Sequence, residues 1–263
     1  MSYKTILVEE SASITTITLN RPERRNAMTP EMQTELISAL EDVASSSCRV
    51  LVLAGAGDAF CSGLDLSAMQ AMQDKSAADH RADAERIARL FISLYELPVP
   101  TIAAVHGAAI AGGAGLAFLC DFTLAAREAK FGFTEVRIGF VPALVSAFLS
   151  LQIGDKRSRD LLLTGRLFDA EEAYRLGLVN EIVAPEELMQ RVRTLVDVLI
   201  ANSPQSLKAT KLLLAQQNRA WLDAAVTAAL EANALSRETE DFREGIAAFL
   251  EKRKPVWGRG STS

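Results

Sequence analysis

Apolar and polar positions at the start of the chain fall in short alternating or β-branched runs. Lys4 to Val8 and Ile14 to Leu19 both predict strands, and Asn20-Arg21-Pro22 closes the second as a loop. The period then changes. Thr29-Pro30 offers a hydroxyl cap and a proline at the first helical position, and Met32, Leu36, Ile37, Leu40 and Val43 repeat with helical spacing. Arg49 to Ala54 (RVLVLA) reads as a buried strand running into a glycine-bearing loop, Gly55 to Gly63. A long helix is predicted over Ala77 to Tyr95, stopped by Leu97-Pro98. Thr101 to Val105 predicts another strand, and Gly107 to Gly115 a second glycine-rich loop that enters an apolar helix. Asp121 to Ala126, Ala129 to Gly132 and Leu178 to Val183 complete the predicted strands.

Strand, strand, helix thus recurs down the first two-thirds without an alignable sequence repeat, as in a shallow spiral of ββα units. The remainder is helical. Asp169 to Glu172 (DAEE) has capping-box form, Ser203-Pro204 begins a further helix, Trp221 to Arg237 is alanine-rich, and Asp241 to Lys252 is amphipathic ahead of Pro255. These apolar faces need a partner, either the chain's own core or another subunit. The expected division is a core over residues 1–195 and a helical region over 196–263.

Composition narrows the function classes. A chain of 263 residues can bury a core without disulfides or metals. Its formal net charge of −5 argues against a general nucleic-acid surface but leaves room for an anionic ligand held by a few local cations and backbone N–H groups. Cys48, Cys61 and Cys120 are odd in number and unpaired in spacing, as in a cytoplasmic protein with reduced thiols. Met1 to Glu10 carries no signal-peptide pattern, and charged residues interrupt every apolar run before it reaches bilayer length. The expectation is a soluble, cytoplasmic chain with no nucleic-acid or membrane partner. His80 and His106 share no ligand spacing, so no metal is expected. Cys61 and Ser62 lack a nucleophile frame and a base.

Two glycine-bearing segments carry the candidate chemistry. Ala59-Phe60-Cys61-Ser62-Gly63-Leu64-Asp65-Leu66 follows a strand, and Val105 to Gly115 (VHGAAIAGGAG) enters a helix. Small residues let a ligand approach the backbone, and a helix start aims free N–H groups at it. The second segment does not complete G-x-G-x-x-G, because Phe118 stands in the last position, and no G-K-[ST] follows.

In order and spacing, these segments resemble the crotonase (enoyl-CoA hydratase/isomerase) family. The resemblance covers nearly the whole chain: Asn20-Arg21-Pro22 with Asn26-Ala27-Met28, FCSGLDL, VHGAAIAGGAGLAFLCD, FGFTEVRIGFVP, TGRLFDAEEAYRLGLVNEIV and EGIAAFLEKRKP. It implies an α/β fold, the crotonase-type ββα spiral, with a C-terminal helical region that builds homotrimers or homohexamers. It implies an acyl-CoA thioester as substrate and no separate cofactor. By motif position, the oxyanion-hole amides fall on Leu64 and Gly112 and the general acid/base on Glu135. The resemblance implies that the CoA portion lies along Leu64, Asp65, Leu66 and Ser67, helped by Ala27, Phe249 and Lys252, the last two from the same or a neighbouring subunit.

One position departs from the best-known hydratases. Where they carry a second glutamate, this chain has Gly115. Asp65 and Asp121 are the nearby carboxylates, and both read as structural. With Glu135 alone, the leading expectation from the resemblance is addition or removal of water across the C2–C3 double bond of an acyl-CoA through an enolate, and Δ3-Δ2 enoyl isomerisation by the same residue is the alternative. A non-catalytic acyl-CoA binder is the alternative of another class.

Overall fold

The computed structural model describes residues 3–73 and 75–258. The chain opens as an antiparallel pair, β1 (Ile6–Ser11) and β2 (Ile14–Leu19); β2 buries alternate side chains, whereas β1 buries only Ile6. Helix α1 (Pro30–Ser45) starts where Thr29 accepts the Met32 N–H, as its Thr-Pro signal predicts. Three turns of a spiral follow, and each lays one strand in a large sheet and one in a small sheet. The first turn gives β3 (Val50–Gly55) and β4 (Ala59–Cys61), then α2 (Leu66–Met72) and α3 (Ala77–Tyr95). The second gives β5 (Thr101–Val105), β6 (Ala108–Ile110) and α4 (Gly112–Leu119); the third gives β7 (Phe122–Ala126) and β8 (Lys130–Gly132). Helices α5 (Ala143–Ile153) and α6 (Asp155–Thr164) lead to β9 (Leu167–Asp169), α7 (Ala170–Leu176) and β10 (Glu181–Val183).

The large sheet has the order β1-β2-β3-β5-β7-β10 and is parallel after the first pair; the small sheet runs β4-β6-β8-β9. Parallel neighbours in both sheets follow from the spiral, because each turn returns the chain in the same direction. The sequence pattern placed β3 and β5 but read β4 and β6 as glycine loops, since three residues show no alternation. Ile17, Leu51, Leu53, Ala103, Val105 and Phe131 join a continuous core with α1, α3, α4 and α5.

Helix α8 (Leu188–Ala201) covers the other face of the large sheet through Val192, Val196 and Leu199. Helix α9 (Pro204–Ser236) is a single 33-residue helix capped by Ser203, and it packs on α3 and α5 of its own chain. Lys211 fixes it there, donating to Asp121 (2.6 Å) and to the Val99 carbonyl (3.0 Å). Leu212, Leu213, Leu214 and Trp221 on the same helix stay exposed. The DAEE segment makes only half of a capping box: Asp169 accepts the Glu172 N–H, but the Glu172 carboxylate turns to Arg166 instead. Among the described residues, no helix is long and apolar enough to cross a membrane.

Helix α10 (Glu240–Leu250) closes over the α2 side of the core. Phe242 and Ile246 pack with Met69 and Phe140. The approach is backbone to backbone: a side chain at Gly245 would fall 2.2 Å from the Ile138 carbonyl oxygen, and one at Gly139 would fall 2.2 Å from that of Asp241. Gly245→Ala is therefore expected to push α10 outward, with a loss of roughly 1–3 kcal/mol of stability and faster amide exchange along the helix. A wild-type melting temperature together with unchanged exchange would refute this role for Gly245.

Candidate active site

Two reversals of the chain bring peptide N–H groups to one cavity. At the first, Gly63 has φ of 93°, Met28 N–H donates to the Gly63 carbonyl (2.8 Å), and Asp65 N–H donates to the Met28 carbonyl (3.0 Å). This is a parallel bridge between Met28 and Leu64. In such a bridge the middle residue's own N–H points away from the partner strand. Leu64 lines a cavity of about 220 Å³.

At the second reversal α4 begins. The Gly112 N–H belongs to the first helical turn and has no intrahelical acceptor. The residue before it, Ala111, holds φ 52° and ψ −125°, a strained conformation for an L-residue that costs roughly 1–3 kcal/mol. Its N–H is anchored on the Gly132 carbonyl (2.7 Å). The two turns touch. A side chain at Gly63 would fall 3.0 Å from the Ala111 Cβ and 3.8 Å from the Gly112 nitrogen, and one at Gly113 would fall 2.3 Å from the Cys61 carbonyl oxygen. Among the described residues neither the Leu64 nor the Gly112 N–H meets a backbone acceptor, and the positive end of the α4 dipole lies beside them.

Glu135 supplies the carboxyl group. It opens a single 3₁₀ turn, Glu135–Ile138, closed by Gly139 in the left-handed region, and its carbonyl accepts the Phe140 N–H (3.0 Å). The residue is buried and lines the same cavity as Leu64 and Gly112. Its Oε2 is buried without a hydrogen-bond partner, and among the described residues it forms no ion pair, with Arg137 or any other cation. Burial pushes its carboxyl up to about 7, offset only in part by its own backbone N–H. The remaining walls are largely apolar, with Met69, Ile87, Phe91, Leu144 and Val145 among them.

The place of the second glutamate is filled. A side chain at Gly115 would meet Val145 Cγ1 at 2.8 Å and Phe91 Cζ at 2.9 Å, both cavity-lining residues. No nearby carboxylate takes over. Asp65 caps α2 by accepting the N–H groups of Ser67 (3.0 Å) and Ala68 (3.2 Å), and it pairs with Arg21 (3.0 Å). Asp121 accepts from Thr101 and Lys211.

Of the sequence-predicted residues, Leu64, Leu66, Gly112, Glu135 and Phe249 line the cavity. Asp65, Ser67, Ala27 and Lys252 lie outside its lining. Ser67 is exposed at the start of α2. The Ala27 carbonyl already accepts from Arg21 (2.6 Å), and its N–H donates to Arg24. Lys252 is exposed just beyond α10, on the chain's own lid. Phe249 is 57% exposed at the mouth. His106 bonds the Gly57 carbonyl (2.8 Å), a loop contact. Burial pushes the Cys61 and Cys120 thiols up to about 12, so neither is a ready nucleophile. Sequence reasoning passed over Asn233, a buried polar residue of α9 that also lines the cavity. An asparagine inside an alanine-rich helical stretch was the available signal.

The sequence model of the enoyl-CoA hydratase/isomerase family matches residues 9–260. A Thermus thermophilus protein assigned as an enoyl-CoA hydratase is 46% identical over 248 residues, covering 94% of this chain and 98% of its own. Crotonyl-CoA hydratase of Syntrophomonas wolfei is 33% identical over 257 residues, covering 97% and 98%. Among solved structures, an enoyl-CoA hydratase/isomerase from Xanthobacter autotrophicus matches with a TM-score of 0.88 at 30% identity, covering 96% of this chain and 98% of its own.

The raised Glu135 pKa has a sign for stability. Between its ordinary 4.5 and about 7, the folded chain keeps a proton that the unfolded chain has lost, so stability falls as pH rises through that window. Glu135→Gln cannot ionise. It is expected to raise stability at pH 8 by up to roughly 3 kcal/mol and to change it little at pH 4. Melts at the two pH values test this, and an equal difference at both contradicts the assignment.

Proposed function

The chain belongs to the enoyl-CoA hydratase/isomerase family of enzymes, and from that premise we propose that it adds water to, or removes it from, the C2–C3 double bond of an acyl-CoA thioester. The thioester oxygen sits against the Leu64 and Gly112 N–H groups. Ionised Glu135 accepts a proton as the water oxygen bonds C3. The electron pair of the double bond moves onto the thioester oxygen, giving an enolate held by the two amides. Protonated Glu135 then delivers that same proton to C2 as the enolate collapses. One carboxyl group is enough, since the proton it takes is the one it returns.

The observation that carries this reading is Glu135, buried with its Oε2 unpartnered and its carboxyl pushed up to about 7, in the cavity that Leu64 and Gly112 also line. A carboxyl so poised exchanges protons readily near neutral pH. Each donor of such a pair is worth about 2.7–4 kcal/mol to the transition state. The names of the relatives, including crotonyl-CoA hydratase and the short-chain-enoyl-CoA hydratase of Clostridium acetobutylicum, favour water chemistry. One observation favours the second reading, Δ3-Δ2 enoyl isomerisation: Phe91 and Val145 occupy the space beside Gly115, leaving one carboxyl that can shuttle a proton between C4 and C2.

The CoA portion is assigned to the mouth between Leu64–Ser67 and the lid, where Phe249 covers it and Lys252 is available to a phosphate. We assign residues 196–263 to assembly as a homotrimer or a pair of trimers, a role that the exposed Leu212, Leu213, Leu214 and Trp221 support. A single-subunit mass in solution contradicts it.

Incubation with crotonyl-CoA is expected to remove the enoyl-thioester absorbance. Because the ionised form starts the reaction, kcat/KM should rise tenfold per pH unit and level off above about 7. Glu135→Gln should lower it at least about 100-fold. Undiminished turnover by this variant removes Glu135 from the mechanism, and turnover of a 3-enoyl-CoA alone selects isomerisation.

A further inference from the structure

Helix α9 reaches the cavity with one polar side chain, Asn233, which is only 3% exposed. Its Oδ1 accepts the Arg237 Nε–H (3.1 Å), one helical turn further on. Arginine offers only donors, so this bond fixes which end of the amide faces Arg237. The Nδ2 group is thereby turned the other way, and among the described residues it has no hydrogen-bond acceptor. The Asn233 side chain lines the cavity, so this donor is free to meet an acceptor that a ligand brings in. Its neighbours Ala232 and Ala234 show that the helix itself has no need of an amide here.

What stands behind Asn233 gives the donor a preference. Arg237 is 1% exposed, pairs with Asp83 (2.7 Å) and sets its guanidinium carbon 5.5 Å from the Phe140 ring centre. Asp83 is shared with Arg86, which also donates to Gln33 (2.9 Å). Two cations therefore meet one carboxylate, and burial together with the Arg86 charge lowers the Arg237 pKa. An excess positive charge held against a low-dielectric wall favours an anionic oxygen nearby. Among the described residues, Glu135 is the only ionisable side chain in the cavity lining.

Resting on the acyl-CoA reading of this cavity, we propose that Asn233 is a specificity-determining residue that selects acyl groups carrying an oxygen acceptor, above all a carboxylate, beyond the reacting carbons. Arg237 is its positioning residue. A plain hydrocarbon chain leaves the Nδ2 hydrogens unpaired when it enters, whereas an acceptor pairs them. Sites built to meet a polar group reject ligands lacking it for this reason.

The test uses binding, so it does not depend on turnover. Calorimetry with the full chain compares three saturated thioesters of equal carbon number: valeryl-CoA, 5-hydroxyvaleryl-CoA and glutaryl-CoA. The wild-type protein is expected to bind glutaryl-CoA at least about tenfold more tightly than valeryl-CoA, about 1.4 kcal/mol, with the hydroxyl ester between. Asn233→Leu should bring the glutaryl-to-valeryl ratio close to one. Asn233→Asp retains an acceptor for Arg237 and is the variant to use if the leucine change unfolds the chain. It should invert the preference against glutaryl-CoA. Equal wild-type affinities, or discrimination that survives both substitutions, overturn the proposal. An active hydratase without discrimination defeats this inference alone, while discrimination without turnover defeats the hydratase reading alone.

Discussion

Everything in this site depends on one close contact: the backbone at the start of α4 lies on the backbone at the end of β4, with no side chain between them. A peptide N–H is useful to a ligand only if secondary structure has left it unpaired, and two are useful together only if they point at one place. The small sheet leaves both N–H groups without a backbone acceptor, and the proposed mechanism has them meet one oxygen. Parallel strands β4 and β6 end side by side, and each then turns sharply, at Gly63 and at Ala111. Gly113 must be glycine because the Cys61 carbonyl occupies the position of its Cβ. The strained Ala111 is held by pairing with Gly132 on the next turn of the spiral, so the rigidity of the sheet sustains the strain.

The carboxyl follows from a second contact of the same kind. Gly139 and Gly245 let the lid helix rest on the Glu135 turn, where Phe140, Phe242, Ile246 and Met69 pack together and Glu135 is itself buried. Desolvation alone then moves an ordinary glutamate into the range where it can both take and give a proton. Phe91 and Val145, by filling the space beside Gly115, exclude a second carboxyl and deepen that desolvation. On the proposed mechanism the chemistry is concentrated in this single titrating group, and the pH dependence of turnover and of stability share one origin.

Much of this was legible in the sequence where the signals are local. The caps at Thr29 and Ser203, the long helix Ala77–Tyr95 and the strands Ile14–Leu19 and Thr101–Val105 lie where their patterns predict. Leu64, Gly112 and Glu135 were singled out by motif position, and all three line one cavity. What escaped was long-range. Strands of three residues inside glycine-rich segments carry no period, so β4 and β6 read as loops. The occupants of the Gly115 space come from α3 and α5, far away along the chain. Asn233 and Arg237 look like the polar face of a solvent-exposed helix until α9 is laid against the core.

The central claim is that two main-chain donors polarise one thioester oxygen. Isotope-edited infrared spectroscopy of bound butyryl-CoA, labelled with ¹³C at the thioester carbonyl, reads this directly without any reaction. The account predicts a carbonyl stretch shifted to lower frequency than in free butyryl-CoA, as expected when two hydrogen bonds draw charge onto the oxygen. An unshifted band from a saturated complex would contradict it.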